Sequence, residues 1–223
     1  MDKQKEQNLY NAAYSACLDR TNARFDQLIK DVPLSAEKDL ADFGCGHGLL
    51  LPHVAYKVRS YIGIDTSAEL IKIARNRLPE YPGMKAGFVC SSIEEFANKN
   101  RGAADIGVAF DVSEHIEDGE WLRILVSIRE VLRNGGQLYL HTPNGNYVLE
   151  IMKKRSFILK QLPGHIAIRS PEDNARILKQ AGFININIKF IAHYNVLRYL
   201  HWLAYLPLVG RFFKARLLIR ADK

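Results

Sequence analysis

The chain has 223 residues, 48% hydrophobic and 25% charged, with a formal net charge of +7. This length suits one domain with a buried core and excludes extended disorder, while the positive charge admits anionic partners without naming one. Cys17, Cys45 and Cys90 form no CxxC pair, which excludes a zinc cluster or disulfide framework and suits a reducing cytoplasm.

In chain order, the polar opening MDKQKEQNLY is expected not to be a signal peptide. Asn8–Lys30 carries apolar residues at helical spacing and reads as one or two leading helices. Strands and helices then alternate. The strands are Lys38–Phe43, Ser60–Asp65, Lys85–Cys90, Asp105–Phe110 and Gln137–Thr142; the helices are Gly48–Val58, Ser67–Leu78, Ile93–Asn98 and Glu120–Leu132. Such alternation predicts an α/β fold, a doubly wound parallel sheet whose ligands sit at the carboxyl ends of the strands. Beyond Pro143 the segment Gly145–Gly164 is mixed and basic. A helix restarts with Ser170 as N-cap, Pro171 as first helical residue and Asp173 as capping-box partner, and Gly182 ends it. Phe183–Ile191 and Arg216–Ala221 read as strands, separated by the apolar, aromatic and basic insertion Tyr194–Ala215. No apolar run is long and clean enough to span a bilayer.

The stretch DLADFGCGHG places Gly44, Gly46 and Gly48 between a strand and a helix. Such a turn needs positive φ and close backbone approach, and it ends on free N–H groups. The spacing is G-x-G-x-G, not the dinucleotide G-x-G-x-x-G, and no Gly-Lys-Ser/Thr follows. Asp42 would repel a pyrophosphate but suits a ligand carrying an ammonium group. Asp65 ends the next strand, where a carboxylate can accept from vicinal ribose hydroxyls. Together these features point to S-adenosylmethionine.

The ordered stretches DFGCGHG, GIDTS, FVCSSIEEF, ADIGVAFDVSEHI and VLRNGGQLYLHTPN resemble the successive motifs of class I S-adenosylmethionine-dependent methyltransferases, in the branch of ubiquinone-pathway O-methyltransferases and small-molecule methyltransferases. HIAIRSPEDNARILKQAGF extends the resemblance. It implies a Rossmann-like sheet of seven strands with an antiparallel last strand. It implies one methyltransferase domain over 1–223, with leading helices at 1–37, a donor-binding core at 38–144 and an acceptor and lid half at 145–223. The backbone of Gly44, Cys45 and Gly46 would line the methionine part of the donor, with Asp42 nearby. Asp65 would hold the ribose, with Thr66 beside the adenine. Ser92 stands where the family usually has an acidic residue for the adenine amino group, a weaker acceptor than a carboxylate. Ile93 would pack on the ring, and Phe110 and Asp111 would lie beside the transferable methyl.

A hydroxyl acceptor needs its proton removed, and imidazole has a suitable pKa, so His115, His141 and His165 are the candidate bases. Asp111, Glu114 and His115 fall at i, i+3 and i+4, where a helical turn would converge them on one side. The resembled ubiquinone-pathway enzymes bind magnesium through a similar cluster, but Asp at the first position shortens the reach, and a divalent metal is not favoured. The insertion is expected to be a lid over an apolar acceptor, with peripheral membrane contact through 194–215 as a further reading. The resulting expectation is methyl transfer to oxygen, rather than nitrogen or carbon, of a small or lipid-linked molecule. An RNA or protein methyltransferase is the alternative, and no nucleic-acid partner is favoured.

Overall fold

The structure, a computed structural model, describes residues 23–154, 166–191, 202–207 and 210–223. Most of the leading helical stretch, residues 155–165 with His165, and much of the insertion lie outside these. The elements are α1 (Ala23–Leu28), β1 (Asp39–Phe43), α2 (Leu51–Val54), β2 (Ser60–Asp65), α3 (Ala68–Arg75), β3 (Lys85–Cys90), α4 (Ile93–Lys99), β4 (Ala104–Phe110), α5 (Asp118–Val131), β5 (Leu132–Pro143), α6 (Val148–Lys154), α7 (Pro171–Gln180), β6 (Ile184–Ile191) and β7 (Arg216–Asp222). The strands form one sheet in the order β3-β2-β1-β4-β5-β7-β6. β7 runs antiparallel to both of its neighbours. This is the Rossmann-like sheet with an antiparallel last strand.

The chain divides into two compact units. The first comprises Met1–Val108 with Glu130–Gly136. Its strands pair in parallel, Leu40 opposite Tyr61 and Ile106, and Ile62 opposite Gly87. Leu40, Ala41, Phe43 and Ile64 are buried, as expected of strands covered on both faces. At the amino end of β1, Asp39 pairs with Arg59 and with Arg133 at 2.8 Å, while Arg133 also reaches Asp105 at 2.6 Å. The Arg59 guanidinium is the main cause that holds the Asp39 carboxyl well below its usual range.

The second unit comprises Ala109–Arg129 with Gln137–Lys223. β5 and β7 pair from Gln137 opposite Asp222 to Pro143 opposite Arg216, and β6 forms an exposed margin on β7. Trp121, Leu125, Leu138, Phe183, Leu217 and Ile219 are buried here. The α7 capping box forms as expected: the Ser170 hydroxyl accepts from the Asp173 N–H at 3.1 Å, with Pro171 as first helical residue. Gly182, at φ 87°, follows the helix.

Three expectations need correction. The helix after the glycine loop is confined to Leu51–Val54, because Gly46 and Gly48 hold positive φ before it and Tyr56, at φ 60°, breaks it afterwards. Lys153, Lys154 and the residues before them, read only as mixed and basic, end the helix α6. Asp111 does not share a helical turn with Glu114 and His115, because it takes φ 57° and the turn covers only Ser113–His115.

Candidate functional site

In the first unit, the carboxyl ends of β1, β2 and β3 gather eight of the predicted residues: Asp42, Gly44, Cys45, Gly46, Asp65, Thr66, Ser92 and Ile93. The Gly44 and Cys45 N–H groups both donate to the Ile64 carbonyl, at 2.8 and 3.0 Å, which docks the loop on β2. Beneath it lies Phe88 of β3. A Cβ on Gly48 would meet the Phe88 ring at 2.7 Å, and one on Gly63 would meet it at 2.6 Å. Gly48 is therefore a packing glycine. Gly46 differs: at φ 53° its added Cβ would find no described atom within 4 Å. The loop rests on Phe88 through one glycine and presents open backbone through another. Arg75 fixes the Phe88 carbonyl at 3.0 Å, and Arg77 fixes the His47 carbonyl at 2.9 Å.

Asp42 is 4% exposed. The Tyr61 hydroxyl donates to its Oδ2 at 2.7 Å, and Tyr61 is itself buried against Phe88, edge to face. Burial raises the Asp42 carboxyl to about 7, opposed by the Tyr61 hydrogen bond and reinforced by the Asp65 charge. A buried carboxylate whose partner among the described residues is a phenol is electrostatically suited to a cationic group. Asp65 accepts from the Gly46 N–H at 2.9 Å and the Ser67 N–H at 2.8 Å, one bond to each oxygen. The Thr66 N–H also bonds this carboxylate, which leaves a lone pair still open on its two oxygens. Burial raises the Asp65 carboxyl, against the pull of these N–H groups. Burial also pushes the Cys45 thiol far up, with the Asp42 and Asp65 charges adding to it, so Cys45 serves through its backbone and not as a nucleophile. Thr66 sits between Asp65 and the α3 N-cap Ser67, its carbonyl 3.6 Å from the Cys90 thiol. Ser92 caps α4, its hydroxyl accepting from the Glu95 N–H at 3.1 Å, and Ile93 is buried behind it.

The remaining described candidates lie in the second unit. Phe110 ends β4, its ring edge-on to His141 at 6.4 Å. Asp111 follows in the left-handed region, its N–H donating to the His141 carbonyl at 2.9 Å. Its Oδ1 lies 2.8 Å from Nδ1 of His141 and 2.9 Å from Nη1 of Arg216. Glu114 is 1% exposed and accepts from the Thr142 hydroxyl at 3.2 Å; Thr142 in turn accepts from Ser113 at 3.0 Å. Burial and the Asp111 charge raise the Glu114 carboxyl to about 8. Arg169, almost fully buried, ties the turn down through Asp118, the Ser113 carbonyl and the Ile116 carbonyl. His115 is half-buried at the end of that turn.

Sequence spacing groups Asp111 with Glu114 and His115; the fold groups it with His141 and Arg216. Among the described residues no three His, Cys, Asp or Glu side chains are placed to hold a metal ion. The donor set does not fit one, because a guanidinium and an imidazole already occupy Oδ1 of Asp111 while Glu114 is turned to Thr142. Arg216 and Tyr61 escaped the sequence reading. Each acts through a partner brought close only by strand pairing, and only the strand assignments themselves hinted at it.

The family described as a methyltransferase domain matches residues 16–188. The ubiquinone biosynthesis O-methyltransferase of Aromatoleum aromaticum is 31% identical over 165 residues, covering 71% of this chain and 69% of that one. The enzyme of the same name from Vibrio parahaemolyticus is 28% identical over 167 residues, covering 72% and 69%. A solved S-adenosylmethionine-dependent methyltransferase from Archaeoglobus fulgidus superposes with a TM-score of 0.68 at 17% identity, covering 94% of this chain and 99% of that one.

Proposed function

This chain belongs to the methyltransferase-domain family, whose enzymes draw on S-adenosylmethionine, and from that premise we propose that it methylates a hydroxyl oxygen of a small or lipid-linked acceptor. The observation that carries the donor half is Asp42: a buried carboxylate whose hydrogen-bond partner among the described residues is a phenol, two residues before a glycine loop in which an added Gly46 Cβ meets no described atom within 4 Å. An α-ammonium group would neutralise that carboxylate. The backbone at Gly44, Cys45 and Gly46 would line the methionine chain, and the lone pair left open on Asp65 would accept from a ribose hydroxyl. Thr66, Ser92 and Ile93 would border the adenine. The donor, when bound, supplies a methyl group on a sulfonium, already activated for displacement.

The protein then has to align the acceptor and remove its proton. His141 is the base we favour over His115, because the Asp111 carboxylate lies 2.8 Å from its Nδ1 and would favour the imidazolium that forms when it takes a proton. Its burial keeps water from the pair. Phe110, edge-on to the ring, limits its rotation. Transfer to oxygen follows the relatives named as O-methyltransferases. We retain the division into a donor-binding core over 38–144 and an acceptor half over 145–223.

A lipid-linked acceptor would also account for the insertion. Trp202 and Tyr205 are 61% and 80% exposed, beside an exposed Leu206, a composition suited to a membrane interface. No helix among the described residues is long and apolar enough to cross a membrane. Calorimetry tests the donor half: binding of S-adenosylmethionine in the micromolar range is expected, and its absence would overturn the reading. Release of S-adenosylhomocysteine across phenolic and prenylated acceptors tests the rest; methylation only of RNA or protein would overturn the small-molecule assignment.

A further inference from the structure

We propose that Tyr61 is a positioning residue for the donor: its hydroxyl holds one oxygen of the Asp42 carboxylate, so that the other is turned to the donor's ammonium group. This rests on the reading of Asp42 as the ammonium partner.

Strand register brings the pair together. Asp42 on β1 stands opposite Gly63 on β2, and Gly63 stands opposite Phe88 on β3. Tyr61 lies two residues before Gly63, and side chains two apart on a strand share a face. One face of the sheet therefore carries Asp42, Tyr61 and Phe88 around a glycine. Neighbours fill the gap at Gly63: a Cβ there would meet the Phe88 ring at 2.6 Å and the Cys45 Sγ at 2.9 Å. The Phe88 ring also lies under Gly48 of the loop, and its centroid is 5.6 Å from that of Tyr61. Tyr61 is 1% exposed, and its hydroxyl reaches Oδ2 of Asp42 at 2.7 Å. Oδ1 accepts from no described residue. Two packed aromatic rings thus support both parts of the proposed site, Phe88 the loop and Tyr61 the acid.

Burial, and after it the Asp42 charge, push the Tyr61 hydroxyl well above its usual range, so it keeps its proton and donates. A hydrogen bond donated to a carboxylate favours the anion. The other titratable groups that face Asp42 are Asp65 at the end of β2 and the Cys45 thiol in the loop, and neither is a cation. At this level β3 and β4 present Phe88 and Val108, both apolar. Among the described residues Tyr61 is therefore the group that draws Asp42 toward its charged form, against burial and the Asp65 charge.

The test uses Y61F, which keeps the ring on Phe88 and removes the hydroxyl alone. Calorimetry reads the affinity of the full chain for S-adenosylmethionine between about pH 5.5 and pH 8.5. The alkaline limb of that profile belongs to the donor's own α-amino group, near about pH 8. The acid limb belongs to Asp42. Y61F should move the acid limb up by about one pH unit and weaken binding about fivefold to tenfold at pH 7, with the alkaline limb in place. In D42N the Asp42 limb should vanish, and adding Y61F should change affinity by less than about twofold. A limb that remains there belongs to Asp65, which accepts from backbone N–H groups and not from Tyr61. Carbon-13 spectra of the ligand-free carboxyls, with D42N to assign the signal, should give Asp42 a higher midpoint in Y61F than in the wild type. A tyrosine that only packs would leave the acid limb and the midpoint unmoved, and that result overturns the proposal. So does an undiminished Y61F loss in the D42N background. A wild type that does not bind the donor defeats the donor reading and this proposal with it. A wild type that binds, with its acid limb unmoved in Y61F, defeats this proposal alone.

Discussion

Two carboxylates, one in each unit, are handled in opposite ways. Asp42 is buried with a neutral phenol for a partner, and its carboxyl rises to about 7. Asp111 receives a guanidinium and an imidazole on one oxygen. The first has no cation against it among the described residues, a cost in the ligand-free fold that a cationic ligand can offset. The second is compensated within the protein. The proposed site for a charged ligand and the proposed site for proton transfer thus differ in what already neutralises their acids.

The strongest attack on this contrast is at the donor loop. Gly46→Arg places a long cation in the open space beside Asp42 and should abolish S-adenosylmethionine binding by calorimetry. Gly46→Ala should cost only about 1 kcal/mol of stability for its backbone conformation. Gly48→Ala drives into Phe88 and should cost about 1–3 kcal/mol in a denaturant titration.

Asp42→Asn sharpens the comparison in two directions at once. It should weaken donor binding by about 2–3 kcal/mol, or roughly a hundredfold. It should also stabilise the ligand-free protein at alkaline pH. The sign follows from the raised carboxyl: the contribution of Asp42 is fully present below its ordinary value of 3.8 and is lost as pH rises through about 7. The thermal midpoint of the variant should therefore exceed that of the wild type by about 5 °C at pH 8, with the gap narrowing as pH falls through about 7 and closing only below about pH 4. Donor affinity of the wild type should fall as pH drops below about 7, because a protonated Asp42 no longer attracts an ammonium group.

On the other side of the contrast, His141→Gln should lower kcat about a hundredfold for an acceptor the wild type methylates, with donor binding retained. His115→Gln should change it by less than about threefold; the reverse order would move the base to His115. The smallest effect is expected at Arg133. Its half-exposed pairing with Asp39 is worth about 1 kcal/mol, so Arg133→Ala should shift a urea midpoint only slightly. Asp39, whose carboxyl is lowered, contributes stability that is present above its ordinary value and lost on acidification. The variant's deficit should shrink in strong acid.

The fold around the glycine loop was legible in the sequence because its information is local. Asp42, three glycines and Asp65 lie within one β-α-β stretch, and short apolar strands covered on both faces leave little choice of arrangement. The boundaries of β2 and β3 agree with the sequence reading to the residue. The helix after the loop was overextended because apolar spacing does not register the positive φ at Gly48 and Tyr56. The surroundings of the proposed base were only partly legible. His141 was chosen as a candidate by residue type, but its neighbours Asp111 and Arg216 could not be foreseen. Asp111 was read on a helical turn that its left-handed backbone forbids, and its arginine stands 105 residues away in sequence. Pairings made across β5 and β7 have no periodicity to betray them.

Ser92 carries a consequence for donor choice. Its hydroxyl is engaged in capping α4, where the resembled enzymes usually offer a carboxylate to the adenine amino group. If Asp42 and Asp65 supply the discrimination, the exocyclic nitrogen of the base goes largely unread. Donors alkylated at that nitrogen should then bind within about tenfold of the natural one, whereas a donor lacking the α-ammonium should not bind measurably. A chain of this kind is a natural starting point for transferring chemically marked groups from base-modified donors that stricter relatives would refuse.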